Sequence, residues 1–154
     1  MFLLAVRRRL CKNWLPLILW MALIFSASTK LGAPANTSLF FRPLINWLFP
    51  GMPEEQFERI HYIVRKTAHF VEYAMLGLLA WRVLQLDPAF GVFSLRRKCW
   101  FAMLFCLLYA STDEFHQSFV PSRQPAVQDV LLDTCGAGFG LLAAMGLREL
   151  RPAA

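Results

Sequence analysis

Residues 13–29 read NWLPLILWMALIFSAST, seventeen positions without a charge, bounded by Lys12 and Lys30. A helix rises about 1.5 Å per residue, so the run is close to the length that crosses a hydrocarbon core. Arg7, Arg8, Arg9 and Lys12 precede it. A cleaved signal peptide is the competing reading, because Ser26-Ala27-Ser28 resembles a small-residue cleavage site. Against it, the apolar run exceeds the usual signal core, and the segments that follow need a first span that starts inside.

Working outward, three further spans follow, at about 64–86, 98–119 and 129–147. With 57% hydrophobic and only 17% charged residues, the chain has too little charge for a water-facing domain surface, where about 25% is usual. The expected fold class is all-α: a polytopic membrane protein, a four-transmembrane-helix bundle forming one domain over 1–154. A long external loop, about 30–62, joins the first two helices. In that loop Leu39-Phe40-Phe41 and Leu44 to Phe49 are apolar, but Pro43, Pro50 and Pro53 break the stretch. It reads as an interfacial or re-entrant segment with Trp47 at headgroup depth. Pro53-Glu54-Glu55 then opens an amphipathic helix.

The sequence carries sixteen Lys and Arg against ten Asp and Glu, a net +6. No basic stripe interleaved with aromatics accompanies that excess, so nucleic acid is not an expected partner. The basic residues are better read as topology signals. Arg7, Arg8, Arg9, Lys12, Arg82, Arg96, Arg97, Lys98, Arg148 and Arg151 fall on one side of the four spans. Lys30, Arg42, Arg59, Arg65, Lys66 and Arg123 fall on the other. Ten against six places both termini in the cytoplasm of a multi-pass inner-membrane protein. Cys11, Cys99, Cys106 and Cys135 form no CxxC pair and read as buried small hydrophobes.

That topology brings the ionisable residues of three spans to one depth near the outer surface. Arg65, His69 and Glu72 share one helical stripe, with Lys66 and Tyr73 beside it. Asp113 falls next to His116 and Gln117 on the third span, and Glu114 next to Gln117 and Ser118. Asp129, Asp133, Gly136 and Gly140 share one face of the fourth, and Gly136 and Gly140 form a GxxxG step that admits another helix closely. A charge inside a bilayer costs about 2.5–3.5 kcal/mol on insertion scales, so such residues face a cavity or each other. The alternative for Arg65, Lys66 and Asp129 is that they only mark helix ends.

The motif Lys66-Thr67-Ala68-His69-Phe70-Val71-Glu72-Tyr73-Ala74-Met75-Leu76-Gly77 resembles the K-x-x-H-F-x-E-Y-x-x-L-G pattern of the VanZ-like family of bacterial membrane proteins. Asp113-Glu114-Phe115-His116-Gln117-Ser118-Phe119-Val120-Pro121-Ser122-Arg123 is similar to that family's D-E-x-x-Q-x-F-x-P-x-R. The run from Asp129 through Asp133 and Gly136 to Gly140 resembles D-x-x-x-N/D-x-x-G-x-x-x-G. The resemblance implies a cell-envelope protein tied to cell-wall or surface-glycan chemistry, in a family linked to glycopeptide (teicoplanin) resistance. It supplies no reaction, and no cofactor.

Three readings stay open. In the first, the chain binds or modifies an anionic amphiphilic lipid or cell-wall precursor at the outer leaflet. His69, Glu72, Asp113, Glu114 and Asp133 are then the catalytic candidates, with His69 beside Glu72 as an oriented base. Lys66, Tyr73, His116, Gln117, Arg123 and Asp129 are the ligand-binding candidates, Lys66 and Arg123 for the anion. No metal site is expected, since the spacing of Asp113, Glu114, His116 and Asp133 matches no metal motif. In the second, the buried carboxylates and histidine relay protons in a small transporter or flippase. In the third, they hold helices in register without chemistry. The bilayer is the expected partner, and Gly136 and Gly140 offer a surface for an oligomer.

Overall fold

The computed structural model describes residues 10–121, 123 and 125–149. Of the basic residues used for orientation, Arg7, Arg8, Arg9 and Arg151 lie outside the described residues, as does the side chain of Arg148; so does Ser122 of the second motif. Among the described residues the chain forms five α-helices and no strand. They are α1 (Leu15–Ser28), α2 (Pro34–Leu48), α3 (Glu54–Leu86), α4 (Leu95–Gln117) and α5 (Val127–Glu149). A π-helical turn, Leu10–Trp14, leads into α1. Pro16 falls in the first turn of α1, where its missing N–H removes no intrahelical bond.

The segment read as a broken external loop is helical. Pro43 sits inside α2 without ending it. A proline there deletes one backbone hydrogen bond. The helix is held by the face it lays on α3: Ile45 is buried, and the Phe41 ring lies 6.5 Å from that of Phe57. The turn after α2 carries Gly51 at φ +82°, a left-handed backbone that suits a residue without Cβ. Pro53 then stands as N-cap, with Glu54 and Glu55 in the first turn of α3, where acidic groups complement the helix dipole. Arg42 of α2 grips Glu54 through both guanidinium nitrogens, at 2.6 and 2.5 Å. Glu54 is consequently held below the usual carboxylate range, by that hydrogen bond first. The opening of α3 and its span are one helix of 33 residues, about 50 Å at 1.5 Å per residue, longer than a hydrocarbon core of about 30 Å.

Packing is organised around α3 and α5, which make the most extensive contact in the molecule. A Cβ on Gly136 would strike the Phe70 carbonyl, one on Gly140 the Ala74 carbonyl, and one on Gly77 the Ala137 carbonyl. The GxxxG face is therefore filled, within this chain, by α3. Helix α4 packs against both, burying Ala102, Cys106 and Ala110. Helix α1 is tied on by Trp20 Nε1 donating to the Glu72 carbonyl and the Tyr109 hydroxyl donating to that of Met21. At the opposite end Trp14 Nε1 donates to Asp87. Cys106 is buried as expected, whereas Cys11 and Cys135 are exposed on the outside of the bundle.

Among the described residues, two stretches are long and apolar enough, by length and composition, to cross a membrane: Cys11–Ser28 and Val127–Gly146. The outward faces of the other long helices are apolar too, with Trp100, Leu104, Leu108 and Phe115 exposed along α4 and Val71 and Met75 along α3.

Candidate functional site

The sequence sets up the site by ending α4 and beginning α5 within nine residues, so that both helices present polar ends beside the midsection of α3. After Gln117 the chain leaves α4 in tight turns, Phe119 N–H donating to His116 and Val120 N–H to Gln117. Pro121 follows, and Arg123 N–H closes back on the Val120 carbonyl at 2.9 Å. That turn aims Arg123 inward. Its side chain is 9% exposed, and Nη2 donates to the Ala27 carbonyl at 2.5 Å and lies 3.5 Å from that of Thr29. These are carbonyls at the end of α1, where partners within the helix run out and the dipole is negative. Burial, and then the charge of Arg65, pull the Arg123 guanidinium below its ordinary range. A nearby anion would relieve both effects.

Ala126 N–H, at the head of α5, donates to Glu114 Oε2 at 3.0 Å. Glu114 thus caps a neighbouring helix instead of pairing with Gln117 or Ser118 on its own. Asp113 does pair as its spacing predicts, accepting from Gln117 Nε2 at 3.1 Å. Lys66 forms an ion pair with Asp129, linking α3 to α5, and its ammonium lies over the Tyr62 ring.

Two cavities open at this end. The outer, about 540 Å³, is bordered by Lys66, Gln117 and Asp129. The inner, about 120 Å³, is bordered by Ser28, Glu72 and Asp113. Arg65, His69 and Arg123 line both, so these three side chains stand between the two spaces. His69 meets Asp133 of α5, Nδ1 to Oδ1 at 3.8 Å. The carboxylate that approaches its ring is thus Asp133, while Glu72 faces the inner cavity one turn further along.

The predicted residues are therefore brought to one end, but not into one space. Glu114 and Asp133 are buried and line neither of these cavities. Tyr73 is fully buried, with its ring 6.4 Å from Tyr109. His116 turns away and packs on Phe25 of α1, ring centroids 4.6 Å apart. Among the described residues, no three His, Cys, Asp or Glu side chains are disposed to hold a metal ion.

Two residues gain weight that sequence reasoning did not give them. Arg65 lines both cavities and makes no hydrogen bond or close ion pair among the described residues, Asp129 acting on it only from a distance. Its spacing of four from His69 was the available signal, but nothing in a linear chain shows that Lys66 is neutralised and Arg65 is not. Gly32 is the second. A Cβ there would collide with the Ala27 carbonyl and stand 2.6 Å from Arg123 Nη2, so this glycine leaves room for the arginine. Its only mark in the sequence is its place in Lys30-Leu31-Gly32-Ala33-Pro34, between two helices.

Three ordered motifs thus meet in space at one end of one bundle. The model of the VanZ/LLP1 family matches residues 13–148. The chain belongs to that family. No curated protein and no solved structure matches it. Family membership and the two apolar helices mark a VanZ-like membrane protein, and the match runs from the first of those helices through the last.

Proposed function

We propose that this VanZ-like protein crosses the bacterial inner membrane four times, with both termini in the cytoplasm. Its outer-end cavity receives the anionic headgroup of an amphiphilic envelope lipid or cell-wall precursor. The observation that carries the reading is Arg65, a guanidinium with no hydrogen bond or close ion pair among the described residues, at the junction of two cavities beside Arg123 and His69. Lys66 is the weaker candidate, because Asp129 already occupies it. Four crossings are supported by α3 and α4, whose charges sit at their ends or face inward while their outer faces stay apolar. Helix α2 suits the outer interface: Phe40 is 85% exposed and Trp47 77%, the amphipathic pattern of a helix lying in the headgroup region. The family's link to glycopeptide resistance makes a cell-wall precursor or lipid carrying phosphate the natural ligand class.

A charge-assisted hydrogen bond contributes about 1.5–3 kcal/mol, and 1.4 kcal/mol is tenfold in affinity. Purified protein in nanodiscs should therefore retain phosphatidic acid over phosphatidylcholine. Arg65→Ala should weaken that preference about tenfold or more while leaving a monodisperse, helical protein. Undiminished retention by the folded Arg65→Ala variant would refute the site. The assembly reading also has an observation in its favour, since Lys66–Asp129 and Arg123–Ala27 join helices directly. Transport has less support, because both polar cavities lie at one end and the groove at the other, bounded by Trp14, Phe90 and Phe105, is apolar.

A further inference from the structure

Beneath the outer cavity and reaching the wall of the inner one at Asp113, between α3, α4 and α5, lies a layer of acidic and hydroxyl groups that the anion-binding reading does not use. Asp133 is 0% exposed, and neither carboxylate oxygen has a hydrogen-bond partner. The Tyr73 hydroxyl, on an equally buried side chain, has none either. Glu114 Oε1 is in the same position, and Asp113 Oδ1 has only the Ser28 hydroxyl beside it, although each residue's other oxygen is bonded. His69 Nδ1 is the nearest group of opposite character to Asp133.

The charges around this layer do not balance. From α3 come Arg65, Lys66, His69, Glu72 and Tyr73. From α4 come Tyr109, Asp113, Glu114 and His116, and from α5 Asp129 and Asp133. Arg123 reaches in from the connecting segment, and α1 contributes only Ser28 here. Lys66 is taken by Asp129. Two arginines then face four carboxylates, those of Glu72, Asp113, Glu114 and Asp133. Ionised carboxylates left buried without donors are strongly disfavoured. An anion arriving at Arg65 makes the imbalance worse. A proton is the one cation that these oxygens can share without a coordination shell, and a protonated carboxyl supplies the donor that the bare group lacks.

We propose that Asp133, with Glu114, Tyr73 and, at the wall of the inner cavity, Asp113, forms a proton-holding layer in which Asp133 exchanges with the cavities through His69. It deepens the anion-binding reading and rests on it for its purpose: protons stored below the arginines let the site accept an anion without stacking it on uncompensated carboxylates. His69 is the connecting group because it borders both cavities and approaches Asp133.

The test needs no ligand, so its failure is distinct from failure of the anion site. Infrared spectra of the full-length protein in nanodiscs at neutral pH should contain the C=O band of protonated carboxylic acid. Asp133→Asn, an isosteric change, should remove one component of that band. Labelling every aspartate of the unmutated protein with a carboxyl ¹³C should move the same component, which keeps the test decisive if the variant misfolds. In deuterium oxide, His69→Gln should slow the shift of the component about tenfold or more. Absence of the band, or a band untouched by both the variant and the label, overturns the layer. Unchanged exchange in folded His69→Gln overturns the route through His69.

Discussion

Replacing Gly140 by alanine tests the central packing decision of the fold. The new Cβ would meet the backbone carbonyl of Ala74, and a backbone atom of a packed helix cannot rotate away as a side chain could. Helices α3 and α5 must separate locally. Overpacking of this kind costs about 1–3 kcal/mol, while alanine returns about 0.5–1 kcal/mol of helix preference. The net loss should fall within about 0–2.5 kcal/mol and centre near about 1.3 kcal/mol, close to a tenfold fall in the folded-to-unfolded ratio. The same helix supplies its own controls. A Cβ at Gly138 would meet only the Met103 side chain, at 3.7 Å, and one at Gly146 meets nothing within 4 Å. Those two alanine variants should be neutral or up to about 1 kcal/mol more stable. Gly136→Ala should resemble Gly140→Ala, and the double variant should cost less than the sum, because one separation relieves both clashes. Reversible unfolding in mixed micelles, followed by far-UV circular dichroism, measures the series. If Gly140→Ala is as stable as Gly138→Ala, the close α3–α5 seam is wrong.

Other outcomes follow from single contacts. Asp129→Asn should destabilise by about 1–3 kcal/mol, less than for a fully buried pair because Lys66 is partly exposed; a combined Lys66→Met, Asp129→Leu variant should recover part of that loss in the same unfolding assay. The His61 ring is buried between Phe41 and Phe57, with Nε2 3.0 Å from Thr37 Oγ1. Burial, and then Arg65, disfavour its protonation. Its contribution to holding α2 on α3 should therefore be complete above about pH 6.5 and fade as pH falls through its lowered value; amide exchange in α2 that ignores this acidification would contradict the argument. For orientation, a single cysteine at Gln128 in a chain otherwise free of cysteine should react with an impermeant thiol reagent in intact cells. Labelling only after permeabilisation would reverse the topology.

The sequence by itself determined the helical class, because uncharged runs of span length leave the backbone no other way to satisfy its hydrogen bonds in lipid. It also grouped the polar residues at one end, since Lys66 to Tyr73, Asp113 to Gln117 and Asp129 to Asp133 occupy matching positions on three antiparallel helices. The paired Asp113 and Gln117 were legible for the same reason: a spacing of four is a local fact. Tertiary structure decided what depends on neighbours distant in the chain. Pro43 looks like a breaker until α3 offers a surface that holds α2 together across it. Gly136 and Gly140 announce a close helix contact, but only the fold shows that the partner is α3. Lys66 and Arg65 are adjacent cations, and their roles separate because Asp129, 63 positions away, bonds directly to Lys66 and acts on Arg65 only from a distance. Arg123 bonds to Ala27, 96 positions back, because the turn at Pro121 brings the guanidinium over the end of α1. Helical periodicity tells which residues share a face; which face meets which, and which charge is left unpaired, is set by how whole helices pack.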